Sequence, residues 1–137
     1  LRAYVVMPNH VHLLLWPIEL EYDVGKILQA INGVTSRRYS RIFVRTNPLL
    51  RSKFLERLRN LDVFRFWQRY GGFDRNLYND VAIHESIRYI ENNPVRTRIV
   101  DQPCDYRWSS ACNLDNKAKW RPVIDRCSVP VKTKNRY

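Results

Sequence analysis

The sequence predicts an α+β fold, because two runs with strand character at its start are followed by two stretches with helical periodicity. Hydrophobic residues make up 45% of the 137 residues, which is enough to build a core. The length is that of a single domain. No apolar run approaches the roughly 20 residues of a membrane-spanning helix, so we expect no membrane partner.

The first two strands are predicted to form a hairpin. Residues 3–7 are mostly β-branched or aromatic, which favours a strand. Pro8-Asn9 is a turn signal, and residues 10–16 have the composition of a second strand, which Pro17 ends. Together these features indicate two antiparallel strands joined by a short turn.

A helix is predicted to follow, with Asp23 as its N-cap. Its apolar residues recur at helical spacing: Val24, Ile27, Leu28, Ile31 and Val34. Gly33 weakens the helix without breaking it. If the helix continues, three basic residues lie near its far end: Arg37, Arg38 and Arg41.

The middle of the chain has weaker signals. Residues 46–60 are predicted to be a connection that contains a short helix. The run Phe64–Gln68 favours a strand. Gly71-Gly72 permits backbone conformations that other residues avoid, and so allows a bulge or the close approach of a ligand.

Asp80 is predicted to cap a second helix. The apolar side of this helix consists of Val81, Ile83 or His84, Ile87 and Ile90. Because Pro94 disfavours helical geometry at the residue before it, we expect the helix to end around Asn92-Asn93. Residues 95–100 are then predicted to form a final strand or an extended arm.

The charge of the chain indicates a polyanionic partner. The formal net charge is +11, and residues 36–75 alone carry eleven basic and three acidic side chains. Such a concentration of positive charge is typical of a surface that binds nucleic-acid phosphates. The three cysteines, Cys104, Cys112 and Cys127, are odd in number and lack C-x-x-C spacing, which predicts reduced thiols and a cytoplasmic location.

The residues with most chemical information are His10 and His12. Side chains two apart in a strand point to the same face, so the two imidazoles can converge on one cation. The alternative is that they are ordinary structural histidines. Tyr89 and Asn93 share a helix face at i and i+4, although an ordinary packing role is the alternative for this tyrosine.

Several sequence blocks resemble the single-tyrosine HUH transposases, most closely the REP-associated tyrosine transposases. The blocks occur in the order found in that family and cover most of residues 1–112. They are Ala3-Tyr4-Val5-Val6-Met7-Pro8-Asn9-His10-Val11-His12-Leu13-Leu14, Phe66-Trp67-Gln68, Gly72-Phe73-Asp74-Arg75-Asn76, Arg88-Tyr89-Ile90-x-x-Asn93-Pro94-Val95-Arg96 and Asp105-Tyr106-x-Trp108-Ser109-Ser110.

The resemblance implies a ferredoxin-like antiparallel sheet with helices on one face. It also implies that Tyr89 attacks single-stranded DNA next to a hairpin and forms a 5′-phosphotyrosine. His10, His12 and Asn93 would hold Mg²⁺ or Mn²⁺. The protein would be a monomer or homodimer associated with the nucleoid.

By the same resemblance, residues 1–112 form a transposase-like catalytic domain, and residues 113–137 form a basic C-terminal tail. Family members have a strand and a helix before the hairpin, so we expect the chain to be N-terminally incomplete and to lack both.

Binding of DNA is expected to involve the basic middle of the chain. The residues assigned to this role are Arg37, Arg38, Arg41, Arg69, Tyr70 and Arg75. Tyr70, Trp67 and Phe73 have rings that can stack on bases, although core packing is the preferred interpretation for Trp67.

Two other functions remain open at the level of sequence. One is a nucleic-acid-binding module without catalysis, which is a domesticated or decayed transposase. Such a module has no need of His10, His12 and Tyr89 together. The other is a metal-dependent phosphodiesterase that uses water as its nucleophile and would survive Tyr89→Phe.

Overall fold

The computed structural model describes residues 1–69, 72–112 and 122–126. The chain divides into two compact units: unit 1 consists of residues 1–18 and 76–137, and unit 2 of residues 19–75. The described residues contain helices and two separate two-stranded antiparallel sheets, which confirms the α+β class. The ferredoxin-like arrangement stays a prediction. Tyr70 and Gly71 lie outside the described residues, and so does most of the predicted tail, including Cys127.

The predicted N-terminal hairpin is present in unit 1. Strand β1 (Ala3–Val6) pairs with strand β2 (Val11–Leu14), and Val5 lies opposite His12. Strand β2 is shorter than predicted at both ends, so His10 lies just before it. The amide of Met7 donates to the His10 carbonyl at 2.8 Å, which closes the turn.

The N-cap of the second predicted helix, which lies in unit 1, differs from the prediction. This helix spans Asp80–Arg96, and the side chain of Asn79 accepts a hydrogen bond from the Ala82 amide at 2.8 Å. Asp80 is therefore the first helical residue and not the cap. Its negative charge still favours the helix, because the N-terminal end of a helix dipole is positive.

The prediction that this helix ends before Pro94 is wrong. Pro94 lies inside the helix, which continues to Arg96, and its ring is fully buried. Burial of the ring offsets the hydrogen bond that proline cannot donate. The amides of Thr97 and Ile99 donate to the carbonyls of Asn93 and Pro94, at 3.1 and 2.9 Å.

Residues 95–100 consequently form no strand. Val95 and Arg96 belong to the helix, and the chain then turns through Arg98, which has a φ of 57°. The backbone bonds that close the last helical turn therefore bend the chain away from an extended path. Two short 3₁₀ turns follow, at Pro103–Asp105 and Ser110–Cys112.

The core of unit 1 lies between the hairpin and the Asp80–Arg96 helix. Three side chains from the hairpin side meet three isoleucines of the helix; the six are Ala3, Val5, Met7, Ile83, Ile87 and Ile90. Tyr106 packs against this core and donates its hydroxyl to the Val6 carbonyl at 2.8 Å. Burial raises the pKa of Tyr106, which keeps that hydroxyl protonated.

Unit 2 begins with a long helix, α1 (Val24–Thr46), and continues with a short helix, α2 (Pro48–Ser52); the Asp80–Arg96 helix is named α3. Asp23 caps α1 as predicted, because its carboxylate accepts from the Lys26 amide at 3.1 Å. The helix ends five residues after Arg41, so the three predicted arginines lie in its second half and not at its end. Within the described ranges, no helix combines the length and apolar character needed to cross a bilayer.

A second hairpin in unit 2 was not predicted. Strand β3 (Leu55–Leu58) pairs with strand β4 (Leu61–Phe64) across Arg59 and Asn60, whose φ angles are 47° and 67°. Two successive positive φ values are typical of the tight turns that join antiparallel strands. The strand predicted at 64–68 is therefore wrong beyond Phe64. The short helix predicted between residues 46 and 60 is confirmed as α2.

Aromatic rings fill the interior of unit 2. The ring centroid of Phe43 in α1 lies 5.7 Å from that of Phe54 and 6.3 Å from that of Phe64. The indole nitrogen of Trp67 donates to the Thr35 hydroxyl at 2.7 Å, in agreement with its predicted core role. No residue of α1 is fully buried. Ring contacts and the Trp67 hydrogen bond therefore hold the helix without burying any of its residues completely.

Gly33 provides a test of the stability of α1. A Cβ at this position would lie 3.4 Å from the Arg37 guanidinium, an ordinary contact with a flexible side chain. We expect Gly33→Ala to raise the free energy of unfolding by about 0.5–1 kcal/mol, because glycine is a poor helix former. Denaturant melts followed by circular dichroism measure this change.

Gly25→Ala is the matched control, since its Cβ would lie only 3.0 Å from the Asp23 carboxylate that caps the helix. The same gain in helix propensity is then opposed by a displaced cap. We expect a smaller gain or a loss for this variant. Equal stabilisation by the two substitutions would contradict the assignment of Asp23 as the cap.

Candidate active site

The centre of the candidate site is a contact between β2 and α3. Opposed residues of an antiparallel pair share a face, so His12 lies on the same side of the hairpin as buried Val5. Asn93 is 6% exposed and donates its amide nitrogen to His12 Nε2 at 3.2 Å. These two residues are 81 positions apart in the sequence. Packing of α3 on the hairpin brings them together.

His10 completes the predicted histidine pair. Its ring centroid lies 4.8 Å from that of His12, in an edge-on arrangement with an interplanar angle of 81°. His10 Nδ1 donates to the side-chain oxygen of Asn9 at 2.7 Å. This bond fixes the tautomer and leaves the lone pair of His10 on Nε2.

Tyr89 lies one helical turn before Asn93 and faces the same site. Its ring is 5.5 Å from the His12 ring, centroid to centroid, at an interplanar angle of 77°. Tyr89 is 46% exposed, so the residue lies at the surface beside the half-buried His12. All four residues expected at the catalytic centre are thus brought together in unit 1.

The environment of His12 favours its neutral form. Burial lowers the pKa of this imidazole, and repulsion from the nearby His10 lowers it further. The hydrogen bond from Asn93 likewise requires a lone pair on His12 Nε2. A neutral imidazole with an available lone pair is the form that binds metals.

The donor set fits a small divalent cation. Adjacent ligands of an octahedral ion with bonds of about 2.1 Å are separated by about 3 Å, close to the 3.2 Å between Asn93 and His12. A half-turn of the amide would present its oxygen in place of its nitrogen. Among the described residues, no group of three or more His, Cys, Asp or Glu side chains could hold a metal. The candidate ligand set is therefore neutral.

Two residues of the site were given no role by the sequence. Asn9 orients His10, and the guanidinium of Arg96 lies over the Tyr89 ring with Cζ 4.8 Å from the centroid. A spacing of seven residues places Arg96 two helical turns after Tyr89, on the same face. That spacing was the available signal, but the presence of Pro94 placed Arg96 outside the predicted helix.

The predicted DNA-binding arginines lie in unit 2. Arg37 and Arg41 are one turn apart on α1 and line an open cavity of about 310 Å³. The other lining residues are Ser36, Ser40 and Phe64. Arg38 is exposed on the same helix. The cavity thus combines two cations and two hydroxyls with an aromatic wall, a set of groups suited to a phosphate and its base.

The remaining members of the predicted interface have different surroundings. Arg69 pairs with Glu56 at 3.6 Å, which partly neutralises its charge. Arg75 is exposed, and the Phe73 side chain is 90% exposed. Tyr70 lies outside the described residues. Arg37 and Arg41 therefore have the clearest geometry for binding an anion.

Comparison of the chain with protein-family models, with curated proteins and with solved structures finds no match in any of the three. The side chains themselves define the kind of site. Two imidazoles and an amide can hold a divalent cation beside a tyrosine hydroxyl. A cation in such a site can bind an oxygen of an anionic group and make the atom that carries this oxygen more susceptible to a nucleophile.

We expect the imidazole of His12 to titrate below its ordinary pKa of 6.5. In the unfolded chain the same imidazole has its ordinary pKa of 6.5 and binds a proton more readily than in the fold. The stability linked to neutral His12 is therefore present above pH 6.5 and is lost as the pH falls below that value. NMR titration in the presence of EDTA measures the pKa. His10→Gln should recover only the smaller part of the shift. A midpoint at or above 6.5 would contradict the burial of this ring.

We expect Arg37→Ala and Arg41→Ala to weaken binding of oligonucleotides. The plot of log K against log salt concentration has a negative slope. Each lost phosphate contact should make this slope shallower by about 1. Fluorescence anisotropy at several salt concentrations measures this slope. Arg57→Ala removes the same charge from an exposed position of β3 and is the control. An equal effect of all three substitutions would show that net charge alone drives binding.

Proposed function

We propose that the protein is a single-tyrosine strand transferase of the HUH type, which cleaves and rejoins single-stranded DNA near hairpins. The observation that carries this proposal is the cluster around His12, whose imidazole contacts His10, Asn93 and Tyr89. A protein that only binds nucleic acid has no need for a histidine pair beside an exposed tyrosine. The resemblance of the sequence blocks to the REP-associated tyrosine transposases supports the same function.

His10, His12 and Asn93 would hold Mg²⁺ or Mn²⁺. A cation bound there would withdraw charge from the oxygens of the attacked phosphate and so favour displacement at phosphorus. The neutral ligands leave the charge of the cation undiminished. Depression of the His12 pKa keeps the imidazole ready to bind at neutral pH.

Tyr89 would be the nucleophile, since this residue is half exposed and its ring contacts His12. Its oxygen would attack the phosphorus, losing its proton as the new O–P bond forms. The bond from phosphorus to the 3′ oxygen would break, and that oxygen would take up a proton as a 3′-hydroxyl. The phosphotyrosine conserves the energy of the phosphodiester, so attack by another 3′-hydroxyl rejoins a strand and releases the tyrosine.

The substrate and setting follow from the charge. Arg37, Arg38 and Arg41 on α1 would bind phosphates of the DNA, while the bases remain accessible for recognition. The ferredoxin-like sheet and the association with the nucleoid belong to this proposal. The oligomeric state proposed with it is a monomer or homodimer.

A catalytically inactive binding module is the second candidate. The cavity bounded by Arg37 and Arg41 would serve such a module equally well. A phosphodiesterase with water as nucleophile is the third. The three differ in whether a covalent adduct forms and in whether cleavage needs Tyr89.

The test is incubation of the protein with a panel of single-stranded hairpin DNAs and Mn²⁺. The label is placed at the 3′ end, because the 5′-phosphotyrosine remains on the 3′ fragment. We expect a denaturant-stable labelled adduct that Tyr89→Phe abolishes. Tyr78→Phe, at a tyrosine that is 88% exposed in unit 1, is the matched control and should leave the adduct unchanged.

The opposite outcomes identify the alternatives. Cleavage of DNA without an adduct, retained in Tyr89→Phe, would indicate a hydrolase. Binding without cleavage across the panel would indicate the binding module. Addition of EDTA should abolish the adduct, and His12→Ala should reduce it at limiting Mn²⁺. An adduct that is indifferent to both changes would contradict the proposed role of the cation.

A further inference from the structure

The C-terminal part of α3 presents three polar side chains in one row. Tyr89, Asn93 and Arg96 are spaced four and three residues apart, which places them on a single face of the helix. Asn93, in the middle, is buried against His12, whereas Tyr89 and Arg96 are exposed. The row exists because the helix continues through Pro94. Had it ended at Asn93, Arg96 would leave the face of Tyr89.

Two residues hold the Tyr89 ring. The His12 ring makes an edge-on contact with the Tyr89 ring. The Arg96 guanidinium lies over the face of the Tyr89 ring, with Cζ 4.8 Å from the ring centroid. An exposed tyrosine on a helix otherwise moves among several rotamers. These contacts restrict the ring, and with it the direction in which the hydroxyl points. A nucleophile gains rate from such restriction because attack requires a narrow range of angles.

Arg96 is available for this role. None of the ion pairs among the described residues involves it. A guanidinium that stacks on a ring keeps its N–H donors in its own plane, so it can also meet an anionic oxygen. Lysine has neither the plane nor the fork of donors. The structural alternative is that Arg96, in the last turn of α3, only stabilises the helix dipole.

We propose that Arg96 is a positioning residue for Tyr89, which holds the phenol ring in the orientation required for attack on the phosphodiester. This inference rests on the proposed function. It assigns Arg96 to the chemical step and not to the overall affinity for DNA. The contact through the ring face distinguishes it from the phosphate-binding arginines of unit 2.

The experiment compares Arg96→Gln and Arg96→Lys with the wild-type protein. The rate constant of adduct formation is measured at saturating 3′-labelled hairpin DNA with Mn²⁺, and the Kd is measured separately by anisotropy. We expect Arg96→Gln to lower the rate constant roughly 10- to 100-fold, while the Kd changes less than about threefold. Arg96→Lys keeps the charge at the helix end but loses the planar guanidinium over the ring, so it should recover the melting temperature more fully than the rate.

Arg88→Gln is the matched control. It removes the same charge from an exposed position of the same helix, one residue before Tyr89. We expect its rate constant to match that of the wild-type protein. A rate constant of Arg96→Gln equal to that of Arg88→Gln would overturn the proposal. So would complete recovery of the rate by Arg96→Lys, since charge alone would then explain the effect.

A second readout does not depend on catalysis. The Tyr89 ring should shift the Nε proton of Arg96 upfield in NMR spectra, and the shift should persist in Tyr89→Phe and vanish in Tyr89→Leu. Absence of this ring-current shift would overturn the proposal whatever the kinetics. Failure of the wild-type protein to form any adduct would overturn the proposed function, and the positioning role with it. An active wild type with an unaffected Arg96→Gln variant would overturn the positioning role alone.

Discussion

The packing of α3 on the N-terminal hairpin is the constraint on which the candidate site depends. The alternate residues Ala3, Val5 and Met7 contact the isoleucine stripe of α3, and this contact sets the height and rotation of the helix. Because His12 lies on the same face as Val5, the rotation that buries the stripe also brings Asn93 to its imidazole. The geometry of the candidate site is thus a consequence of apolar burial. A helix rotated by one residue would satisfy neither requirement.

The site combines a rigid half with an open half. Asn93 is buried and makes a direct hydrogen bond to the half-buried His12, which fixes both side chains as the position of a bound cation would require. Tyr89 and Arg96 lie at the exposed edge, where a polymeric substrate can approach. A nucleophile for DNA must be reachable by a chain that cannot enter a closed pocket. Exposure of Tyr89 therefore agrees with a macromolecular substrate. Its ring contacts with His12 and Arg96 limit the rotamer freedom that an exposed tyrosine otherwise has.

Much of this arrangement was predictable from residue patterns. The β-branched and aromatic composition of the two strands, with the Pro8-Asn9 turn, predicted the hairpin. The i, i+4 spacing predicted that Tyr89 and Asn93 would share a face. The errors have local physical causes. Proline usually ends or kinks a helix. At Pro94, however, burial of the ring outweighs the loss of one backbone hydrogen bond. The β3–β4 hairpin carries charged residues in place of a clear alternation, and its turn of Arg59 and Asn60 lacks the glycine that usually signals positive φ.

The division of the chain also has a consequence for the order in which the protein folds. Unit 1 is discontinuous in sequence, and the whole of residues 19–75 lies between its two parts. Its hairpin can form from neighbouring residues, whereas docking of α3 must close a loop that contains all of unit 2. Loop closure becomes less unfavourable as the flexible part of the loop shortens. Folding of unit 2 before this docking step would reduce the entropy lost when α3 meets the hairpin and Tyr89 meets His12.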